Sequence, residues 1–420
     1  MIDGITPGGS KRRPLSEKTK DETPEPAFRT PEAVAAVADD VIALPNDDPK
    51  PADKPQFAGG RGEHKKRSPK EWFLDLGTKQ KIALIVAILL VLAGGTVGAM
   101  QLLKKDAPAP APAAKVEEPK EPVNTVIYSP LTGVPVSKEQ SQLPVTGIMI
   151  ENSPDARPQS GLNKAGVVFE AIAEGGITRF LTLFQEEQPD YVGPVRSVRP
   201  YYVDWLEGFD AAVAHVGGSP EALAKIKSDG VKDLDQFANA GPYKRVSNRY
   251  APHNMYTSLG GLIDLSKSKG WTSSKFEGFP RKPEAASAAP TARGIDIKIS
   301  SPLYNVHYDY DAATNSYKRV LGGKPHLDER SNEQISPKVV IGLVVPYSIH
   351  PDGVHSVYKT IGSGTAYIFQ DGNVTEATWE KASAKSQITF KDAAGKPVTL
   401  NAGQTWITAT AVNTNVTYKP

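Results

Sequence analysis

The chain of 420 residues contains no cysteine. That absence excludes disulfides, thiolate catalysis, cysteine-zinc sites and lipid attachment through a thiol. Any fixture to a membrane must therefore be polypeptide. An excess of one charge is missing as well: 49 Lys and Arg face 47 Asp and Glu, a formal net charge of +2. Bulk charge thus makes no case for a nucleic-acid partner, and none is expected. The chain also lacks an H-E-x-x-H pattern, a phosphate loop and a repeat of fixed period. No metal and no cofactor is expected. What is present in ordinary amount is apolar side chain, 39% of the total, enough for a folded protein.

Residues 1–69 are rich in Pro, Glu, Asp, Lys and Ala, and Phe28 and Phe57 are their only aromatic residues. Such a composition cannot bury enough apolar area to order itself, so a disordered tail is expected there. Ser68-Pro69-Lys70-Glu71 offers an N-cap, a proline at the first helical position and a capping-box glutamate, which predicts a juxtamembrane helix over 70–81. Residues 82–103 form an uncharged, mostly aliphatic run. As a helix, about 22 residues at 1.5 Å each span roughly 33 Å, enough for a hydrocarbon core. Arg61, Lys65, Lys66, Arg67, Lys70, Lys79 and Lys81 precede this run and Lys104 and Lys105 follow it. By the positive-inside rule the tail stays in the cytoplasm, open to a partner there, and the remainder lies outside. The expectation is a single-pass signal anchor in the cell membrane, followed by a Pro/Ala-rich spacer over 104–126.

Beyond the spacer the pattern is α+β. A mixed α/β domain is expected over 127–279, where the strand-like stretches 145–150, 166–172, 178–184 and 211–216 alternate with helix-like 201–206, 220–226 and 257–266. A linker rich in Ala, Pro and Ser covers 280–296. A smaller, mainly-β domain is expected over 297–420, with strands near 303–310, 317–321, 339–345, 366–370, 387–390 and 405–411 and a turn at Asp371-Gly372. A small sandwich or barrel would fit it.

Polar residues of the first domain gather at predicted strand and helix ends. Gly193-Pro194-Val195-Arg196-Ser197-Val198-Arg199-Pro200 puts two arginines and a serine before a helix start, where unpaired amides carry partial positive charge. His215-Val216-Gly217-Gly218-Ser219-Pro220-Glu221 reads as a strand, a glycine turn, a serine cap and a helix. Ligands collect at such junctions in open α/β sheets, although Ser219 suits a cap better than a nucleophile. Glu170, Glu174 and Arg179 flank Gly175-Gly176, with pairing of Arg196 and Arg199 to Glu170 or Glu174 as the plain alternative. Glu151 opens a polar loop through Arg157, and Arg249 and His253-Asn254 lie in a second loop beside several tyrosines.

These motifs, with Glu174 to Phe180, Pro252-His253-Asn254, Tyr317-Lys318-Arg319, Gly322 to His326, Phe369 to Gly372 and Gly403-Gln404-Thr405-Trp406, resemble the YerB-like lipoprotein family. The resemblance runs from Tyr128 to Thr408. It implies bacterial cell-envelope proteins of unknown function, with a smaller C-terminal partner domain and no settled reaction. Members are often held by a lipidated cysteine, which this chain replaces with an apolar run. The leading expectation is a crevice lined by Arg179, Arg196, Arg199, His215 and His253 that takes an anionic or glycan-type envelope ligand. Ligand-binding candidates are Arg157, Glu170, Arg179, Arg196, Ser197, Arg199, Gly217, Gly218, Ser219, Glu221, Arg249 and Asn254. A hydrolase or transferase acting on envelope polymers would use Glu151 or Glu174 as acid or base, with His215 or His253 assisting. A non-catalytic scaffold for membrane assemblies is the third class.

Overall fold

The computed structural model describes residues 126–420 and, before them, residues 77–80, 82, 83 and 85. The expected tail, spacer and nearly all of the expected span therefore lie outside the described residues. Among the described residues no helix is long and apolar enough to cross a membrane. Residues 126–420 belong to one compact unit.

Its centre is a mixed sheet of ten strands. In chain order these are β1 (Thr146–Glu151), β2 (Val167–Glu174), β3 (Ile177–Phe184), β4 (Ala212–Ala214) and β5 (Lys232–Asp233). A second sheet contributes β6 (Gly294–Ile297), β7 (Val306–Asp311), β8 (Ser316–Leu321) and β9 (Lys324–Pro325). The large sheet resumes with β10 (Val339–Val344), β11 (Gly362–Gln370), β12 (Asn373–Lys381), β13 (Thr389–Lys391) and β14 (Thr405–Thr410), and β15 (Val416–Lys419) returns to the second sheet. Their spatial orders are β13-β12-β11-β10-β14-β2-β3-β1-β4-β5 and β9-β8-β7-β6-β15.

The large sheet is thus built from both sides of residues 280–296. β14 pairs in parallel with β10 and, on its other side, with β2, Thr408 standing opposite Glu170. Both faces of β1 and β2 are covered, because every residue of each is buried. That is why these strands read as continuous apolar runs with little alternation.

Three helices follow from local signals. α1 (Pro200–Glu207) starts with proline at its first turn. In α2 (Pro220–Asp229) Ser219 caps the Ala222 amide and Gly230, at φ +69°, closes the end. In α3 (Leu259–Ser268) Ser258 caps Gly261. α1 lies on one face of the large sheet, where Trp205 stacks on Phe169 of β2 with ring centroids 5.2 Å apart. The Tyr202 hydroxyl donates to the carbonyls of Ala171 and Arg179. Burial of each such ring stabilises the unit by about 1.5–3 kcal/mol.

Glu170, pointing to the opposite face of β2, meets the second sheet. Its Oε2 accepts from Arg319 of β8 at 2.8 Å and from Trp406 Nε1 of β14 at 3.0 Å. Both Glu170 and Arg319 are 0% exposed. The Arg319 guanidinium lies 4.2 Å from the Trp406 ring centre, and its Nε donates to His326 Nδ1 at 3.0 Å. Burial and the adjacent Arg319 push the His326 imidazole well below its ordinary range, so it stays neutral.

The strand- and helix-like stretches named from sequence coincide with elements of this fold, and Asp371-Gly372 forms the β11–β12 turn with both residues at positive φ. β5, β6, β9, β12 and β15 lie outside the expected strands. β12 alternates polar residues with only a few buried ones, so its apolar density is too low to announce a strand.

Candidate functional site

β1, β4 and β5 run parallel, and β2 shares their direction across the antiparallel β3. The C-terminal ends of these strands and the start of β3 therefore lie on one edge of the sheet. Glu151 ends β1, Glu174 ends β2, Arg179 lies near the start of β3, and His215 follows β4. The 193–199 segment crosses this edge. The Arg196 amide donates to Met149 O, Val216 N donates to Arg196 O, and Val195 N donates to Met255 O. Gly193 has to be glycine because a Cβ would come within 2.8 Å of Met255 O.

The arginines divide into two groups. Arg179 and Arg199 both bind Glu174: Arg199 donates from NH2 and Nε to Glu174 Oε2 at 2.8 and 3.2 Å, and Arg179 donates to Oε1. Arg179 also donates to Ser197 O, and Arg199 to Val198 O. All three side chains are 3–4% exposed. Burial alone would raise the Glu174 carboxyl, but the two guanidiniums outweigh it and hold the group below the usual carboxylate range. The expected crevice is altered accordingly: Arg179 and Arg199 face a buried carboxylate and not an open groove.

The second group reaches the surface. Glu151 Oε1 accepts from His253 Nδ1 at 2.9 Å and from Ser153 Oγ at 2.9 Å, while Arg196 Nε lies 3.5 Å from Oε2. The hydrogen bond to Glu151 raises the His253 imidazole, against burial. Burial raises Glu151, but His253 and Arg196 together bring it below the usual range. His253, a side chain 16% exposed, has its Nε2 4.0 Å from Asp155, a side chain 81% exposed. Ser153 Oγ lies 3.3 Å from the same Nδ1 that holds Glu151. In a serine-nucleophile triad the carboxylate and the hydroxyl occupy opposite ring nitrogens, so this arrangement does not activate Ser153. It fixes Nδ1 of the ring on a carboxylate and leaves Nε2 as its other edge.

The remaining expected residues support this edge or lie elsewhere. Arg157 donates to Asn152 Oδ1 and O and to Leu303 O, which binds the 152–157 loop to the segment before β7. Arg249 donates to Asp155 O and Pro158 O. Asn254 accepts from Arg245 and donates to the carbonyls of Val246 and Arg249, tying its own loop. His215 is fully buried, with its two ring nitrogens against Gly217 O at 2.8 Å and Asp233 Oδ1 at 3.0 Å. Gly217, at φ +61°, receives Val198 N, and Gly218 bridges Val198, so this turn braces the arginine segment. Ser219 is the α2 cap and Glu221 is exposed on the first turn of α2. Glu170 lies between the two sheets, away from the edge.

Sequence reasoning passed over Ser153 and Asp155, although both stand in the loop it singled out. It also passed over Gln159, whose Nε2 donates to Glu151 O and Asn152 Oδ1 while His326 bonds its Oε1. The short polar run after an apolar strand was the available signal for the first two. Two surface depressions, of about 260 and 280 Å³, lie outside the expected residues. Among the described residues no group of three or more His, Asp or Glu side chains is placed to hold a metal ion.

Residues 131–272 match the family described as "Protein of unknown function (DUF3048) N-terminal domain", and residues 295–407 match its C-terminal domain. The "Putative lipoprotein YerB" of Bacillus subtilis (strain 168) is 32% identical over 287 residues, which is 67% of this chain and 85% of that protein. The crystal structure of Bacillus subtilis YerB superposes with a TM-score of 0.63 at 28% identity, covering 70% of this chain and all of that one. The chain belongs to the YerB-like DUF3048 family and carries its N-terminal and C-terminal domains in that order.

Proposed function

We propose that this protein is a membrane-tethered binding protein of the outer face of the cytoplasmic membrane. In this reading residues 82–103 are the anchor and the His253 edge receives an anionic or glycan-type polymer of the envelope. The observation that carries the binding reading is the His253–Glu151 pair: Nδ1 is fixed on a buried carboxylate while Nε2 lies 4.0 Å from the exposed Asp155. The hydrogen bond to Glu151 favours the protonated ring, and a ring held in one orientation offers Nε2 to an anionic or hydroxyl-rich ligand without the entropy cost of ordering a free side chain. The buried cluster in which Glu174 binds both Arg179 and Arg199 supplies rigidity. The name of the Bacillus subtilis relative, a putative lipoprotein, supports the outer address.

Two measurements test the two parts of this reading. The absence of cysteine makes single-cysteine labelling clean. On spheroplasts, a membrane-impermeant maleimide is expected to label Ser363→Cys, at an exposed position, and to label Ser10→Cys only after permeabilisation. Labelling of Ser10→Cys on intact spheroplasts would overturn the topology.

For binding, the purified full-length chain is expected to co-sediment with insoluble cell-wall sacculi. His253→Ala should weaken this about tenfold, a loss of about 1.4 kcal/mol, while Lys396→Ala, at an exposed turn far along the chain, should bind as the parent does. Equal sedimentation of His253→Ala and parent would remove the site. Sacculi stripped of their anionic polymers separate the two ligand classes: retained binding identifies the glycan.

A further inference from the structure

Three donors from separate parts of the first half of the unit converge on one carboxylate supplied by the second half. Ser160 Oγ donates to Glu329 Oε2 at 2.6 Å, the Tyr256 hydroxyl donates to the same oxygen at 3.4 Å, and Arg249 NH2 donates to Oε1 at 3.3 Å. Glu329 is carried by the connection between β9 and β10. That connection is fastened at Glu329 and at the residue before it: the Glu329 amide donates to Gln159 O, and Asp328 Oδ2 accepts from the Gly161 amide at 2.6 Å. Fastening of the strap therefore does not require the Glu329 side chain. Departure of the carboxylate leaves these backbone fastenings in place.

The surroundings provide an approach. The Glu329 and Arg249 side chains are 22% and 11% exposed, and Asp328 and Arg330, the chain neighbours of Glu329, line a depression of about 260 Å³ together with Tyr191, Glu187 and Asp190. Tyr191 stacks on Tyr256 at 4.4 Å, and the Arg330 guanidinium lies 4.8 Å over the Tyr191 ring. A guanidinium and two hydroxyls around one carboxylate form a receptor for an oxyanion, since each donor is charge-assisted by the occupant. A partly exposed pair serving stability alone contributes little and needs only one partner.

We infer that Ser160, Arg249 and Tyr256 form an oxyanion site, held in this state by the chain's own Glu329, into which a carboxylate or phosphate of the ligand enters by displacing that side chain. This deepens the anionic branch of the proposed function and rests on it. It assigns to the ligand a terminal carboxylate or a phosphate group within reach of the His253 edge, because Arg249 also holds the Asp155 and Pro158 carbonyls of that loop.

The test is a titration of the full-length chain in detergent with inorganic phosphate and, in a parallel arm, acetate, at fixed ionic strength and without wall material. Glu329→Gln removes the internal competitor while keeping its shape, and is expected to tighten oxyanion binding about tenfold; Arg249→Ala is expected to abolish it. Glu333→Gln changes the net charge equally on the same strap, where Glu333 is exposed, and is expected to leave affinity unchanged. The arm with the larger gain in Glu329→Gln names phosphate or carboxylate as the source. Unchanged or weaker binding in Glu329→Gln, or an equal gain in Glu333→Gln, would overturn the site. Because no polymer is present, that outcome is distinguishable from a failure of the His253 sedimentation test.

Discussion

Arg319→Ala is expected to lower the unfolding free energy by about 3–5 kcal/mol, the range found when one partner of a buried ion pair is removed. Arg319 is 0% exposed and satisfies Glu170, His326 and the Tyr308 hydroxyl at once. Its loss leaves the Glu170 carboxylate between two sheets with only Trp406, Thr408 and Thr178 as donors. An uncompensated buried charge costs more than the lost contacts themselves. Removing both charges together, as Glu170→Gln with Arg319→Met, is expected to cost less than Arg319→Ala alone, because no orphan charge remains. Equilibrium denaturation of the three chains measures the ordering. A free-energy loss under about 1 kcal/mol in Arg319→Ala would show that this cluster does not hold the sheets together.

Glu174→Gln is expected to destabilise the unit by a similar amount, about 3–5 kcal/mol, because two buried guanidiniums would then share a neutral amide. The same residue gives a pH signature. Its folded-state carboxyl lies below the usual value, so its contribution is fully present above the unfolded-state value near 4.3 and is lost as pH falls through the folded value. The parent should lose stability below about pH 4. In Glu174→Gln that slope should be shallower by up to about 1.4 kcal/mol per pH unit, the equivalent of one proton. Parallel slopes in the two chains would mean that Glu174 does not take up a proton on unfolding.

The elements of the fold were legible where apolar runs, caps and glycine turns coincide. Ser219-Pro220 at the start of α2 with Gly230 at its end is such a case, and so is β2, whose eight residues are all buried. What could not be read is pairing across long separations. Arg319 lies 149 positions from Glu170, and nothing local distinguishes it from a solvated arginine on a polar strand. Arg179 and Arg199 lie only 5 and 25 positions from Glu174 and still read as cations facing a groove, because spacing does not show that both guanidiniums turn inward onto the one carboxylate that takes them. The plain alternative considered for Arg199, pairing with Glu174, is what the fold adopts. Candidate residues on the polar loops were easier to find than their roles. Spacing placed Glu151 and His253 near turns, but only β1 and the 193–199 segment, crossing at one edge, bring His253 within 2.9 Å of Glu151.

One feature of the large sheet bears on synthesis. β14 occupies an interior position between β10 and β2, although Thr408 and the Glu170 it meets are separated by 238 positions. A ribosome delivers the early strands long before this keystone exists, and until then β2 has an unsatisfied border able to pair with any passing strand. The nascent polypeptide therefore has to be kept from premature association until β14 emerges, and a transcript cut short before codon 405 would yield a product with that border permanently bare.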